Sequence, residues 1–152
     1  MRGESSPGLS IRGVSIDYRR GNSDIPTSNH GENRMVYLLM IYAEESGWAS
    51  KSPEELLSTL QAHKALEDEM RAADKFRGGG GLALTESART VRFHAGKPTI
   101  LDGPFAETKE QFGGYYLVEA EDMDEALAYA KRIPGIDNRA IEVRAVTHYS
   151  PP

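Results

Sequence analysis

The chain has no cysteine. That excludes a disulfide framework, a thiolate nucleophile and a cysteine-based zinc site. It also fits a reducing compartment, so a cytoplasmic location is the expectation. A basic cluster is missing too: 18 Lys and Arg stand against 23 Asp and Glu, for a net charge of −5. Gripping nucleic acid by its phosphates takes grouped cations, so direct nucleic-acid binding is not expected. Long apolar runs are absent. The longest, Met35 to Ala43, falls far short of the roughly 20 residues that cross a bilayer as a helix, and no membrane partner is expected. Histidine is sparse and scattered, at His30, His63, His94 and His148, without a His-x-x-x-His pair. Such spacing gives no metal site and no cofactor to expect. The four glycines Gly78 to Gly81 are not followed by Gly-Lys-Ser or Gly-Lys-Thr, which rules out a phosphate-binding P-loop, and there is no Gly-x-Ser-x-Gly elbow.

What is present is an ordinary globular balance, 39% apolar and 27% charged residues over 152 positions, enough for one domain. The chain divides at Met35. Residues 1–34 are rich in Gly, Ser, Asn and Arg and carry few large apolar residues, although Ile11, Val14 and Ile16 suit a short strand. The stretch reads as a disordered or extended N-terminal segment, or as an upstream start ahead of Met35. An arm that wraps a partner subunit is the sharper reading. Residues 35–150 form the expected domain.

Within it, VYLLMIYA (Val36 to Ala43) predicts a buried strand. Ser52-Pro53-Glu54-Glu55 predicts a capped helix start. Leu56, Leu60, His63, Leu66, Met70 and Ala73 then mark one face of a long helix ending near Asp74. LALT (Leu82 to Thr85) is a candidate strand. RTVRFHA, Gly96-Lys97-Pro98 and Thr99-Ile100-Leu101 predict a hairpin. GYYLVEA (Gly114 to Ala120) is a further strand. Asp122 and Glu125 predict a second capping box rather than a calcium loop. Ala126, Leu127, Ala130 and Ile133 supply a shorter helix's apolar face, stopped by Pro134-Gly135, and AIEVRAV (Ala140 to Val146) closes the pattern. This order predicts an α+β fold: a split βαβ of ferredoxin-like kind, helices on one face of an antiparallel sheet, with an extra β-hairpin. The open sheet face predicts a homodimer.

Ile100 to Tyr116, ILDGPFAETKEQFGGYY, is the candidate functional stretch. Its charges, glycines and aromatics suit neither a core element nor a flexible linker. A shaped loop of this kind is where binding groups concentrate. Asp102 reads either as a turn residue before Gly103-Pro104 or as a carboxylate partner for a histidine. Phe105 is expected to anchor the loop in the core. Glu107 and Lys109 read as a solvated charge run or as a ligand-contacting mouth, beside Tyr115. Gly113 and Gly114 would let backbone approach a ligand or a neighbouring strand. His63, on the helix stripe, reads as a hydrogen-bonded core histidine or, oriented by Asp102, as a general acid or base near neutral pH. The functional expectation is a small-molecule enzyme or ligand-binding protein with His63 and Asp102 in one cleft.

The segment Asp102-Gly103-Pro104-Phe105, continuing through Ala106-Glu107-Thr108-Lys109-Glu110-Gln111 to Gly113-Gly114-Tyr115-Tyr116, resembles the signature of YCII-related proteins of the DGPF type. MVYLLMIYAEE (Met35 to Glu45) and AIEVRAV are similar to the same family. The resemblance spans Met35 to about Thr147. It implies a dimeric α/β-barrel built on a ferredoxin-like fold, a mostly unassigned biochemical function, and a His-Asp pair in a cleft. His63 matches the helical histidine. The helix's aspartate has no counterpart, since Ala72 stands near its place and Asp74 two residues on. The resemblance also implies, as an alternative, a regulatory partner of an extracytoplasmic-function sigma factor.

Overall fold

In the computed structural model, residues 34–152 are described, together with the backbone of a small hairpin, β1 (Ser10–Ile11) and β2 (Val14–Ser15). The rest of the N-terminal expectation lies outside the described residues. From Met35 the order is β3 (Met35–Ala43), α1 (Glu45–Ala49), α2 (Pro53–Ala72), β4 (Phe76–Gly81), a 3-10 turn at Thr85–Ser87, β5 (Arg89–His94), β6 (Lys97–Asp102), β7 (Gln111–Ala120), α3 (Met123–Ala130) and β8 (Ala140–Ala145). One antiparallel sheet runs β4-β7-β3-β8, and β5-β6 pair separately. This is the expected α+β, ferredoxin-like arrangement with an added hairpin.

The core follows from strand alternation. Tyr37 and Leu39 of β3, with Tyr116, Val118 and Ala120 of β7, meet Leu66 and Met70 of α2 and Ala126 and Ala130 of α3. That is one phase of each strand and one stripe of each helix. The other phase of β3, Val36, Leu38, Met40 and Tyr42, faces away from the helices.

Helix α2 starts and stops as its chemistry dictates. The Ser52 side chain accepts from Glu55 N–H, and the Glu55 carboxylate accepts from Ser52 N–H. At the far end Asp74 adopts a left-handed φ of 55°. Lys75 N–H then reaches Met70 O at 2.8 Å and Asp74 N–H reaches Arg71 O at 3.0 Å. Those two bonds satisfy carbonyls the helix leaves free. Lys75 itself is buried, its ammonium 2.8 Å from Glu125 of α3, which ties the two helices' ends together.

Four expectations need correcting. Leu82 to Thr85 is not a strand; the glycines before it are, as β4 pairs with β7 from Phe76↔Val118 to Gly81↔Gly114. Strand β7 begins three residues early, inside the charged loop. The cap of α3 is half a box: Asp122 accepts from Glu125 N–H, but Glu125 accepts from Glu121 N–H. Phe105 is 75% exposed and anchors nothing in the core; it lies against the Arg92 guanidinium, 5.2 Å from its ring centre.

Candidate functional site

Between α2 and the sheet edge lies a hollow of about 260 Å³. Its walls are apolar for the most part. Trp48 of α1 and Leu60 of α2 stand with Leu82 and Leu84, which follow β4, and with Ile136, which precedes β8. Gly80, Gly81, Gly113 and Gly114 line the β4–β7 side with backbone. A Cβ on Gly114 would stand 3.0 Å from Gly80 O, so glycine is what allows the two strands to close here.

His63 reaches this hollow from the middle of α2. Its Nδ1 lies 2.5 Å from Tyr116 Oη, and the two rings stack with centroids 5.9 Å apart. Burial, and then the nearby Glu67 carboxylate, push the Tyr116 hydroxyl up to about 12. Tyr116 therefore keeps its proton at neutral pH. Where that O–H donates to Nδ1, the imidazole is the tautomer with hydrogen on Nε2. Burial lowers the His63 pKa below its ordinary 6.5; Glu67 opposes that shift and Arg139 adds to it. A neutral ring results, whose Nε2 has no protein partner among the described residues.

The rim is braced by Glu45. Its carboxylate accepts from Thr85 N–H at 2.7 Å and from the Thr85 hydroxyl at 2.8 Å, while Glu45 N–H donates to Gln111 Oε1 at 3.0 Å. These bonds hold α1, the turn after β4 and the start of β7 around one opening.

The structure divides the expected site residues. His63 and Tyr115 both line the hollow. Lys109 stands at its border through an ion pair of 3.4 Å with the lining residue Glu44. Glu107 is exposed and is not in the lining. Asp102 is also outside the lining: it ends β6 and pairs with Arg89 of β5 at 2.9 Å, largely in solvent. Within one chain, the hydroxyl of Tyr116 holds the ring nitrogen that Asp102 was expected to hold. Sequence reasoning passed over Tyr116, Glu67, Trp48 and Arg139. Glu67, four residues after His63, shares its helix face and was findable from spacing. Tyr116 was findable as the inward phase of β7. Arg139 follows an irregular loop and carries no periodic signal. No group of three or more His, Asp or Glu side chains able to hold a metal occurs among the described residues, and no helix among them is long and apolar enough to cross a membrane.

A family model described as the YCII-related domain matches residues 35–150. An uncharacterised protein of Rhizobium meliloti (strain 1021) is 34% identical over 119 residues, covering 77% of this chain and 96% of that protein.

Proposed function

The chain belongs to the family of YCII-related domains, and from that premise we propose that it is a small-molecule enzyme or ligand-binding protein whose working cleft is the hollow beside α2. The observation that supports this most is the His63–Tyr116 pair set into an otherwise apolar wall. A histidine that serves packing alone turns its nitrogens to protein or to water, not to a hollow large enough for a ligand. Here Nδ1 is taken by Tyr116, and Nε2 has no partner among the described residues.

His63 serves as a neutral hydrogen-bond donor. Its Nε2–H polarises a carbonyl, or holds an oxygen on which negative charge develops, in surroundings where water competes poorly. Tyr116 takes the orienting role that was expected of Asp102. Tyr115 contributes ring surface, and Lys109 borders the mouth with Glu44. In this reading the protein works as a homodimer, because β5-β6 leaves Phe93 and Ile100 more than 70% exposed.

A thermal-shift screen of small carbonyl compounds tests the proposal, since a ligand that binds only the folded form must raise its melting temperature. Compounds that stabilise the wild type should lose most of that shift on His63→Ala. A full set of shifts surviving in His63→Ala would remove His63 from the site.

A further inference from the structure

The charges around the hollow are unequally spent. Both oxygens of Glu45 accept from Thr85, which fixes this rim carboxylate in place without cancelling its charge. Glu44 pairs with Lys109 at 3.4 Å and Glu67 with Arg71 at 3.7 Å. Arg139 is the one cation in the lining, and it has no carboxylate partner among the described residues. Its partners are neutral. Nε donates to Ile133 O and Nη1 to Ile136 O, each at 3.0 Å. Two of the fork's nitrogens are thus pinned to the loop that leads into β8, and Nη2 is left without an acceptor among the described residues. The loop is shaped around this side chain: a Cβ on Gly135 would stand 2.8 Å from Arg139 Cδ.

A half-buried guanidinium held only by backbone carbonyls keeps its full charge unneutralised. Such a charge is stabilised by a bound anion, and the pinned fork has lost its conformational freedom in advance. The other nitrogen of the hollow without a protein partner among the described residues, Nε2 of His63, belongs to the same lining. We propose that the cleft takes a small carboxylate-bearing molecule, with its anionic end on Arg139 and its apolar body against Trp48, Leu60 and Ile136. This rests on the cleft reading above and adds a ligand class to it. The volume of about 260 Å³ admits a body the size of one aromatic ring or a short branched chain.

Trp48 is the chain's single tryptophan and lines the cleft, so its fluorescence reports occupancy there. The probes are benzoate and its uncharged counterpart benzamide. Benzoate should perturb Trp48 emission with an affinity about tenfold or more above that of benzamide, the usual effect of one charge-assisted hydrogen bond. Arg139→Gln should erase the difference, bringing benzoate affinity down to that of benzamide for the same variant. Gly135→Ala, which crowds the Arg139 stem and strains the loop at a φ of 156° without removing the charge, should weaken benzoate more than benzamide. It covers the case in which Arg139→Gln unfolds the loop, and a melting curve identifies that case. Equal affinity of the two probes for the wild type would overturn the anion proposal and leave the cleft intact. A benzoate preference that persists in folded Arg139→Gln would overturn it too, making Arg139 a staple for its loop and nothing more. Silence of Trp48 toward both probes at millimolar concentration would sink the cleft reading and this one together.

Discussion

At the scale of single residues, the His63 imidazole carries a stability signature that can be measured without knowing any ligand. Its pKa in the folded protein is lowered, chiefly by burial, below the value of 6.5 that it has in an unfolded chain. Between those two values the unfolded chain binds a proton that the folded protein refuses. Stability therefore rises with pH across that interval. Its contribution is fully present above 6.5 and is lost as pH falls through the folded-state value. Melting temperatures of the wild type should drop more steeply than those of His63→Gln as pH is lowered below neutrality. Parallel curves would mean that the ring titrates normally and that burial does not hold it neutral. The histidine itself was legible in the sequence, because helical spacing put it on the buried stripe with Leu66 and Met70. Its partner was not. Asp102 lies near a glycine-proline bend and looked available, but pairing in a folded chain is decided by register. The register placing Leu39 opposite Tyr116 joins residues far apart in sequence, and no local pattern encodes it.

At the scale of elements, helices were legible from their ends and strands from their middles. Ser52, Pro53 and Glu55 specify the start of α2 through bonds that are complete within four residues. Strand β4 is the opposite case. FRGGGG has almost no intrinsic strand preference, since glycine loses the most entropy when extended. It is a strand because β7 supplies its partners, and its glycines answer to that neighbour. A Cβ on Gly79 would lie 3.1 Å from Tyr115 O, and one on Gly114 would lie 3.0 Å from Gly80 O. The neighbouring Gly113 stands apart: a Cβ there meets nothing within 4 Å. Two adjacent glycines should therefore respond with opposite signs. Gly114→Ala should destabilise by about 1–3 kcal/mol through strain between β4 and β7. Gly113→Ala should be neutral, or stabilising by up to about 1 kcal/mol, by restricting the unfolded chain. Urea titrations of both variants check this. Equal losses would mean that β7 needs both glycines for its backbone path rather than for close approach.

At the scale of the whole molecule, the feature the single chain leaves unexplained is β5-β6. A lone two-stranded hairpin is marginal in water unless it packs on something. This one spans Arg89–Asp102, and its strands pack mainly on each other. It carries Val91 at 53%, Phe93 at 73% and Ile100 at 72% exposure, with Phe105 at 75% just beyond it. Alternation in RTVRFH was legible as a hairpin. What it alternates against was not, because neither of its faces is buried in its own chain. A two-fold mate offers cover for such a surface at no cost in additional sequence, as each copy presents the same arm to the other. The protein should accordingly run as a dimer in light scattering at micromolar concentration. Phe93→Asp with Ile100→Asp should shift it toward monomer and lower its melting temperature, because the arm loses its packing. Both residues are exposed in the single chain, so a fall in stability without dissociation would place their packing inside the protomer. A monomer mass for the wild type would leave the arm free in solution and end the dimer proposal.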